Sequence, residues 1–249
     1  MNPFISIITP TYNRRNFIPM MIDIYTAYDY PKDRMEWIII DDSIEPVKDL
    51  FDNASKTIPN IRYYYFPEKM LIGEKRNKLN EFATGDIIVA MDDDDYYPPE
   101  RIRHIVQKFN MNPAIQLAGS STMYLYFVSD KTVCKVGPYG PTHSTNGTLA
   151  YKKAYAKSHT YDIVQTHAEE QSFLENYSNP MIQLDPMKTI LCICHSDNTF
   201  DKMKIRMKSM ESKTPVPTFH ETSLKLRDFI KNEKMRKFYM GLGEGHLKK

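Results

Sequence analysis

Gly85-Asp86-Ile87-Ile88-Val89-Ala90-Met91-Asp92-Asp93-Asp94-Asp95-Tyr96-Tyr97-Pro98-Pro99 decides the fold of this chain, because an apolar run without alternation leads straight into consecutive carboxylates. Such a run, bounded by turn formers, reads as a strand covered on both faces, as in a parallel sheet. The strand then fixes where the aspartates emerge. Two like charges ~4 Å apart at an effective dielectric of about 20 repel by roughly 4 kcal/mol, so the row needs a counter-charge or free solvation. Two readings satisfy that need. One is a hard divalent cation completed by phosphate oxygens, since Mg²⁺ and Mn²⁺ favour oxygen ligands. The other is a solvated acidic turn capping a helix from Pro98 onward, because Asp ahead of a first-turn Pro is ordinary capping chemistry.

Outward from this segment, three further runs read as strands: Phe4 to Ile8, stopped by Thr9-Pro10; Trp37 to Ile40, stopped by Asp41-Asp42-Ser43; and Ile61 to Phe66. Helical stretches lie at Asn16 to Tyr28 and Glu74 to Phe82, and Ile102, Ile105, Val106 and Phe109 recur at one-face helical spacing. Strand–helix alternation of this kind predicts an α/β fold, with a doubly wound, mostly parallel sheet flanked by helices. From residue 114 the pattern shortens. Strands are expected at Ile115 to Gly119, Thr122 to Val128 and Val133 to Val136, then a turn-rich loop at 137–147 and a strand at Thr148 to Tyr151. A helix at Glu169 to Asn176, a strand at Ile190 to Cys194, helices at Phe200 to Met210 and Ser223 to Met240, and a frayed tail at 241–245 complete the reading.

Composition bounds the function. With 41% hydrophobic and 26% charged residues, the chain is an ordinary globular protein. A net charge of +2 gives no electrostatic basis for nucleic-acid binding. The charge is unevenly placed: residues 200–249 carry 13 Lys/Arg against 6 Asp/Glu, or +7, while residues 1–199 carry 20 against 25, or −5. That basic stretch suits an acidic partner or peripheral contact with an anionic membrane surface, and equally a solvated helix face. Cys134, Cys192 and Cys194 are too few for a disulfide framework and lack zinc spacing, which predicts reduced thiols and a cytoplasmic setting. Residues 1–4 leave no room for a signal peptide before the first strand, and no window holds 18 apolar residues.

Ligands of open α/β sheets sit beyond the carboxyl ends of the strands. Three polar clusters fall there: Thr9 to Asn13, Asp41-Asp42 and Asp92 to Asp95. The first of them contains no glycine, which excludes the dinucleotide fingerprint and the phosphate-binding P-loop.

Ser6-Ile7-Ile8-Thr9-Pro10-Thr11-Tyr12-Asn13-Arg14, Trp37 to Ser43, Gly73-Glu74-Lys75-Arg76-Asn77 and Gly85 to Asp95 together resemble the ordered signature of family 2 glycosyltransferases. The resemblance is strong over 4–110, thins over 140–200 and ends near 210. It implies a GT-A fold with a smaller acceptor-side subregion, a nucleotide-sugar donor (a UDP-sugar above all), Mn²⁺ or Mg²⁺, a glycan or other hydroxyl acceptor, and inversion. It divides the chain into a glycosyltransferase domain at 1–210, with a nucleotide-sugar half at 1–113 and an acceptor half at 114–210, followed by a C-terminal helical extension at 211–249. Residue by residue, it implies that Thr9, Pro10 and Tyr12 wall the nucleoside and that Asp41, with Asp42 nearby, accepts from the base. Arg76 would reach the base or diphosphate, while Lys75 is better read as a solvated helix face. Asp92 and Asp94 would form a D-x-D pair, Asp92 near the ribose and the metal and Asp94 on the metal, with His195 as a further ligand, while Asp93, on the donor side, and Asp95 shape the turn and either could share the ion. Glu170 falls at the catalytic-base position, where the family more commonly has Asp, and Glu169 competes for that role. His143, His159 and His167 receive no role beyond loop or surface.

Overall fold

The computed structural model describes residues 2–164, 168–196, 198, 202–211 and 219–242, with the backbone alone at 208–211. Its first half holds strands β1 (Ile5–Thr11), β2 (Met35–Asp41), β3 (Ile61–Tyr65) and β4 (Ile87–Ala90), alternating with helices α1 (Ile18–Ala27), α2 (Lys48–Ala54), α3 (Ile72–Phe82) and α4 (Arg101–Met111). The second half supplies strands β5 (Leu117–Gly119), β6 (Met123–Phe127), β7 (Thr132–Val136), β8 (Ala150–Lys152), β9 (Met181–Gln183), β10 (Leu191–Cys194) and β11 (His220–Glu221).

The central sheet runs β3-β2-β1-β4-β8-β5-β9. Its first four strands are mutually parallel, β8 lies antiparallel between β4 and β5, and β9 rejoins parallel to β5. Every residue of β1, β2 and β4 is buried. The strand period of two explains why these runs show no polar alternation. Ile5, Ile7, Trp37, Ile39, Ile87 and Val89 pack on one face with residues of α1 and α4. Ile8, Ile38, Ile40, Ile88 and Ala90 pack on the other with Leu79 of α3.

A second sheet, ordered β10-β6-β7-β11, stands apart from the first. The sequence predicts the strands at β6, β7 and β10 but not their separation, because β10 pairs parallel with β6 across more than sixty residues. An isolated bridge between Tyr96 and Leu191 ties this sheet to the aspartate turn.

Several expected elements are altered. Helix α2 is short and polar and carries no periodic signal. The helix expected over 169–176 is only α6 (Glu170–Phe173), because Glu175, Asn176 and Tyr177 all adopt positive φ. The strand expected from Thr148 starts at Ala150, after a single 3₁₀ turn at Asn146–Thr148. A short α5 (Lys153–Ala156) follows it. The helix expected over 223–240 splits into α8 (Leu226–Phe229) and α9 (Glu233–Gly241), where Asn232 caps α9 by accepting from Met235 N–H at 3.1 Å. Of the helix expected over 200–210, α7 (Lys202–Glu211) is seen, while Phe200 and Asp201 lie outside the described residues, as do His167 and the tail beyond Leu242.

The C-terminal segment belongs to the core. Leu226, Phe229, Ile230, Met235 and Tyr239 join the larger apolar cluster. The Tyr239 hydroxyl donates to the Asp95 carbonyl at 2.9 Å, directly behind the aspartate turn. No helix among the described residues is long and apolar enough to cross a membrane.

One backbone position tests the packing of the second half. Gly137 has φ +79°, and a Cβ there would lie 2.0 Å from the Ser121 carbonyl oxygen. Gly137→Ala is expected to destabilise the protein by about 2 kcal/mol or more, read as a lower urea midpoint. An unchanged midpoint would contradict this account of the loop.

Candidate active site

The carboxyl ends of β1, β2 and β4 meet at one edge of the sheet, and the residues placed there by sequence divide into two layers. Thr9 lies in the lower layer: it is fully buried, and its Oγ1 accepts from Trp37 Nε1 at 2.9 Å. Pro10 is buried beside it. Asp41 is also fully buried, and its carboxylate accepts from the Ser43 and Val47 N–H groups at 2.9 and 3.0 Å and from the Tyr63 hydroxyl at 2.5 Å. The Asp41 carboxylate thus holds its own turn.

Asp42 accepts from Met70 N–H at 2.8 Å and forms an ion pair with Lys75. Lys75 therefore corrects the sequence reading: it is buried, not solvated, and its Nζ also donates to the Thr11 carbonyl at 3.0 Å. Burial lowers its pKa, opposed by Asp42. Its i, i+4 neighbours gave no hint, because the partner comes from the loop after β2. Lys75→Met would strand a buried carboxylate and is expected to cost about 3 kcal/mol, measured by denaturant unfolding. A loss below about 1 kcal/mol would mean that Asp42 finds solvent instead.

The upper layer faces outward. Tyr12 is half-buried, and Lys69 Nζ stands 4.1 Å from its ring centroid. Thr11 Oγ1 donates to Asp93 at 2.7 Å. The four adjacent carboxylates engage largely different groups, although Arg14 stands 3.7 Å from both Asp93 and Asp94. Asp92 pairs with Arg76 at 3.2 Å. Asp93 is pushed up to about 7, by burial first and then by Asp94. Asp94 accepts from Asn198 Nδ2 at 3.0 Å, with His195 Nε2 at 3.4 Å and Arg14 at 3.7 Å. Burial would raise Asp94, but His195, Lys202 and Arg14 outweigh it and lower the carboxyl to about 2. Asp95, buried and accepting from Ile193 N–H at 2.7 Å, is raised well above the usual range, chiefly by burial.

Arg76 is the hub on the opposite side. It is buried, its Nε donates to Glu169 at 2.8 Å, and its Nη2 reaches Asp92. The Asn146 amide oxygen accepts from the same guanidinium at 3.1 and 2.5 Å, with its nitrogen donating to the Tyr161 hydroxyl at 2.8 Å. Glu169 is thereby tied down as an ion-pair partner. Glu170 opens α6 and is pushed up to about 7, by burial first and by Glu169 second. The two adjacent glutamates thus stand in different surroundings. Glu169 neutralises a buried arginine, and the Glu170 carboxyl beside it is raised by burial.

Residues 6–169, well over half of the chain, match the sequence model of the family described as Glycosyl transferase family 2. The chain belongs to that family. It is similar to the TuaG glycosyltransferase of Bacillus subtilis (strain 168), 30% identical over 101 residues that cover 40% of this chain and 39% of that protein. A glycosyltransferase of Sulfolobus acidocaldarius is 28% identical over 114 residues, covering 44% of this chain and 25% of the relative. The chain thus spans well under half the length of these curated relatives. Among solved structures, the mannosyltransferase PcManGT of Pyrobaculum calidifontis in complex with GDP-Man and Mn²⁺ superposes with a TM-score of 0.64 at 15% identity, over 84% of this chain and 62% of that one. TarS residues 1–349 of S. aureus in complex with UDP-GlcNAc gives 0.58 at 16% identity, over 84% and 66%. The shared fold is the GT-A fold.

In this family 2 glycosyltransferase, the donor set limits how an ion would be held. No three His, Cys, Asp or Glu side chains among the described residues converge to hold one alone. Asp94 and His195 stand together, whereas Asp92 turns away to Arg76. Two protein donors fit Mg²⁺ or Mn²⁺ when substrate phosphates and water complete the shell, the usual arrangement for such ions. Asp94 and His195 are thus the residues that would hold the cation. Sequence reasoning gave no role to Arg14, Asn198 or Lys202, although all line this edge. Lys202 Nζ lies 2.9 Å from Cys192 Sγ, close enough to Asp94 and Asp95 for its charge to act on both. Only Arg14 and Asn198 carried a local signal, through their nearness to Tyr12 and His195 in the chain.

Proposed function

We propose that this protein transfers a sugar from a nucleoside diphosphate, a UDP-sugar in the first place, to a hydroxyl of a glycan or other acceptor by direct displacement with inversion. The observation that carries this reading is the division of carboxylates about Arg76: Asp94 beside His195 on one side, and Glu170, with its raised pKa, beyond Glu169 on the other. Tyr12 lines the nucleoside, with Thr9, Pro10, Asp41 and Asp42 building the turns beneath it, while Asp92, Asp93 and Arg76 position the ribose and diphosphate. Glu170 takes the acceptor proton as the hydroxyl oxygen attacks the anomeric carbon, and the diphosphate leaves from the opposite face. A divalent cation held at Asp94 and His195 would neutralise charge on the leaving diphosphate. Arg14 and Lys202 lie where they add to that neutralisation. The sugar-nucleotide complexes of PcManGT and TarS support a nucleotide-sugar donor.

The test is a thermal-shift screen of UDP-, GDP- and dTDP-sugars with and without Mn²⁺. A ligand at a hundred times its Kd stabilises the folded state by about 2.7 kcal/mol, so a shift of several degrees that needs Mn²⁺ is expected from a UDP-sugar. Absence of any nucleotide-dependent shift would remove the reading.

A further inference from the structure

Beyond Glu170 the chain builds a feature that donor binding does not use. After α6, Glu175, Asn176 and Tyr177 take φ values of 47°, 55° and 61°, a run of left-handed residues that no glycine relieves. The consequence is that the Tyr177 ring stacks on His143 of the 137–147 loop, with centroids 4.4 Å apart and planes at 26°. On its other side His143 meets Tyr139 at 4.8 Å. Tyr177 lies in the turn directly after α6, the helix that Glu170 opens, so the stack is built on the segment that carries the proposed base. Tyr139 is 43% exposed and also lines a groove of about 450 Å³ with Ser120, Ser121, Thr122 and Gln183. Gln183 Nε2 donates to the Pro141 and His143 carbonyls at 2.9 and 3.1 Å, which fixes the loop over the groove. Among the described residues, none of those lining the groove carries a charge.

We propose that the Tyr139–His143–Tyr177 stack and the groove beyond it form an extended acceptor subsite for a neutral oligosaccharide. This rests on the transferase reading and deepens it. Flat rings present an apolar surface to the carbon-bound hydrogens of a sugar face, and tyrosine adds a hydroxyl at its rim. The Ser121 and Thr122 hydroxyls suit sugar hydroxyls, while Gln183 and Ser120 are engaged within the protein. A polyanionic chain would bring carboxylate or phosphate charges into a groove without a counter-cation, where desolvation is unfavourable.

The experiment is a ligand-observed NMR titration of the full chain with maltotetraose, cellotetraose and chitotetraose, against tetragalacturonate as the anionic probe. At least one neutral tetrasaccharide is expected to bind, and more tightly than tetragalacturonate. Tyr139→Ala should weaken it about tenfold, the scale of one aromatic contact, while Tyr139→Phe retains it. Matching melting curves of the three proteins establish that each is folded. Failure of all neutral probes, equal or tighter binding of tetragalacturonate, or a Tyr139→Ala affinity within about twofold of wild type would each overturn the proposal. The wild-type thermal shift with UDP and Mn²⁺ is read in parallel. Its absence would strike the donor reading while leaving the groove result standing.

Discussion

Asp94→Ala is expected to reduce sugar transfer by roughly 10³-fold and to abolish its response to Mn²⁺, a loss of about 4 kcal/mol of transition-state stabilisation. The geometry makes Asp94 the natural choice among the four aspartates. Asp92 is engaged by Arg76, and Asp93 and Asp95 are held toward protonation by burial. Asp94 alone is both lowered and placed beside His195. Asp94→Asn separates charge from volume, since the amide keeps the shape but not the charge, and it should lose the Mn²⁺ response as fully. The measurement is nucleoside diphosphate release from donor across a Mn²⁺ titration, with the Mn²⁺-dependent thermal shift alongside. Retention of either response in Asp94→Ala would place the cation elsewhere.

Glu170→Gln should lower transfer by about 10²- to 10⁴-fold, the range for loss of a positioned base, while nucleotide binding persists. The same substitution should stabilise the protein, and the sign follows from linkage. The Glu170 carboxyl is raised from 4.5 to about 7 in the folded state, by burial and then by Glu169, with Asp92 adding and Arg76 opposing. Below its unfolded pKa both states hold the proton and no penalty exists. Between the two values only the folded state holds it, so stability falls as pH rises and levels off above about 7. Glu170→Gln removes that penalty and should gain on the order of 3 kcal/mol at pH 8 but little at pH 4. Wild-type transfer should rise along an acid limb near pH 7, because the base must first lose its proton. If Glu170→Gln kept near-normal rates, or if Glu169→Gln alone flattened the pH profile, the two glutamates would exchange roles.

Much of the architecture was legible because burial on both faces leaves a plain mark. Ile87 to Ala90 and Trp37 to Ile40 show no alternation, and they are the inner strands of the parallel sheet. Helix α4 was equally plain, since Ile102, Ile105, Val106 and Phe109 mark its inner face. The breaks in 169–176 and 223–240 went unread although each carries a local mark: Asn176 adopts a positive φ that asparagine tolerates, and Asn232 caps α9 by accepting from Met235 three residues on. Lys75 marks the limit: nothing within four residues reveals that its partner is Asp42, in the loop after β2.

By itself, the sequence determined which side chains reach the sheet edge. A strand of given period and length dictates where Thr9, Asp41 and Asp92 emerge, and that information is local. Only the tertiary structure decided what each carboxylate became. Whether Asp93, Asp94 or Glu170 keeps its proton depends on solvent exclusion and on charges brought close by the fold. Burial and Coulomb interaction are set by distances in space, and the order of residues along a chain does not contain them until the chain has folded.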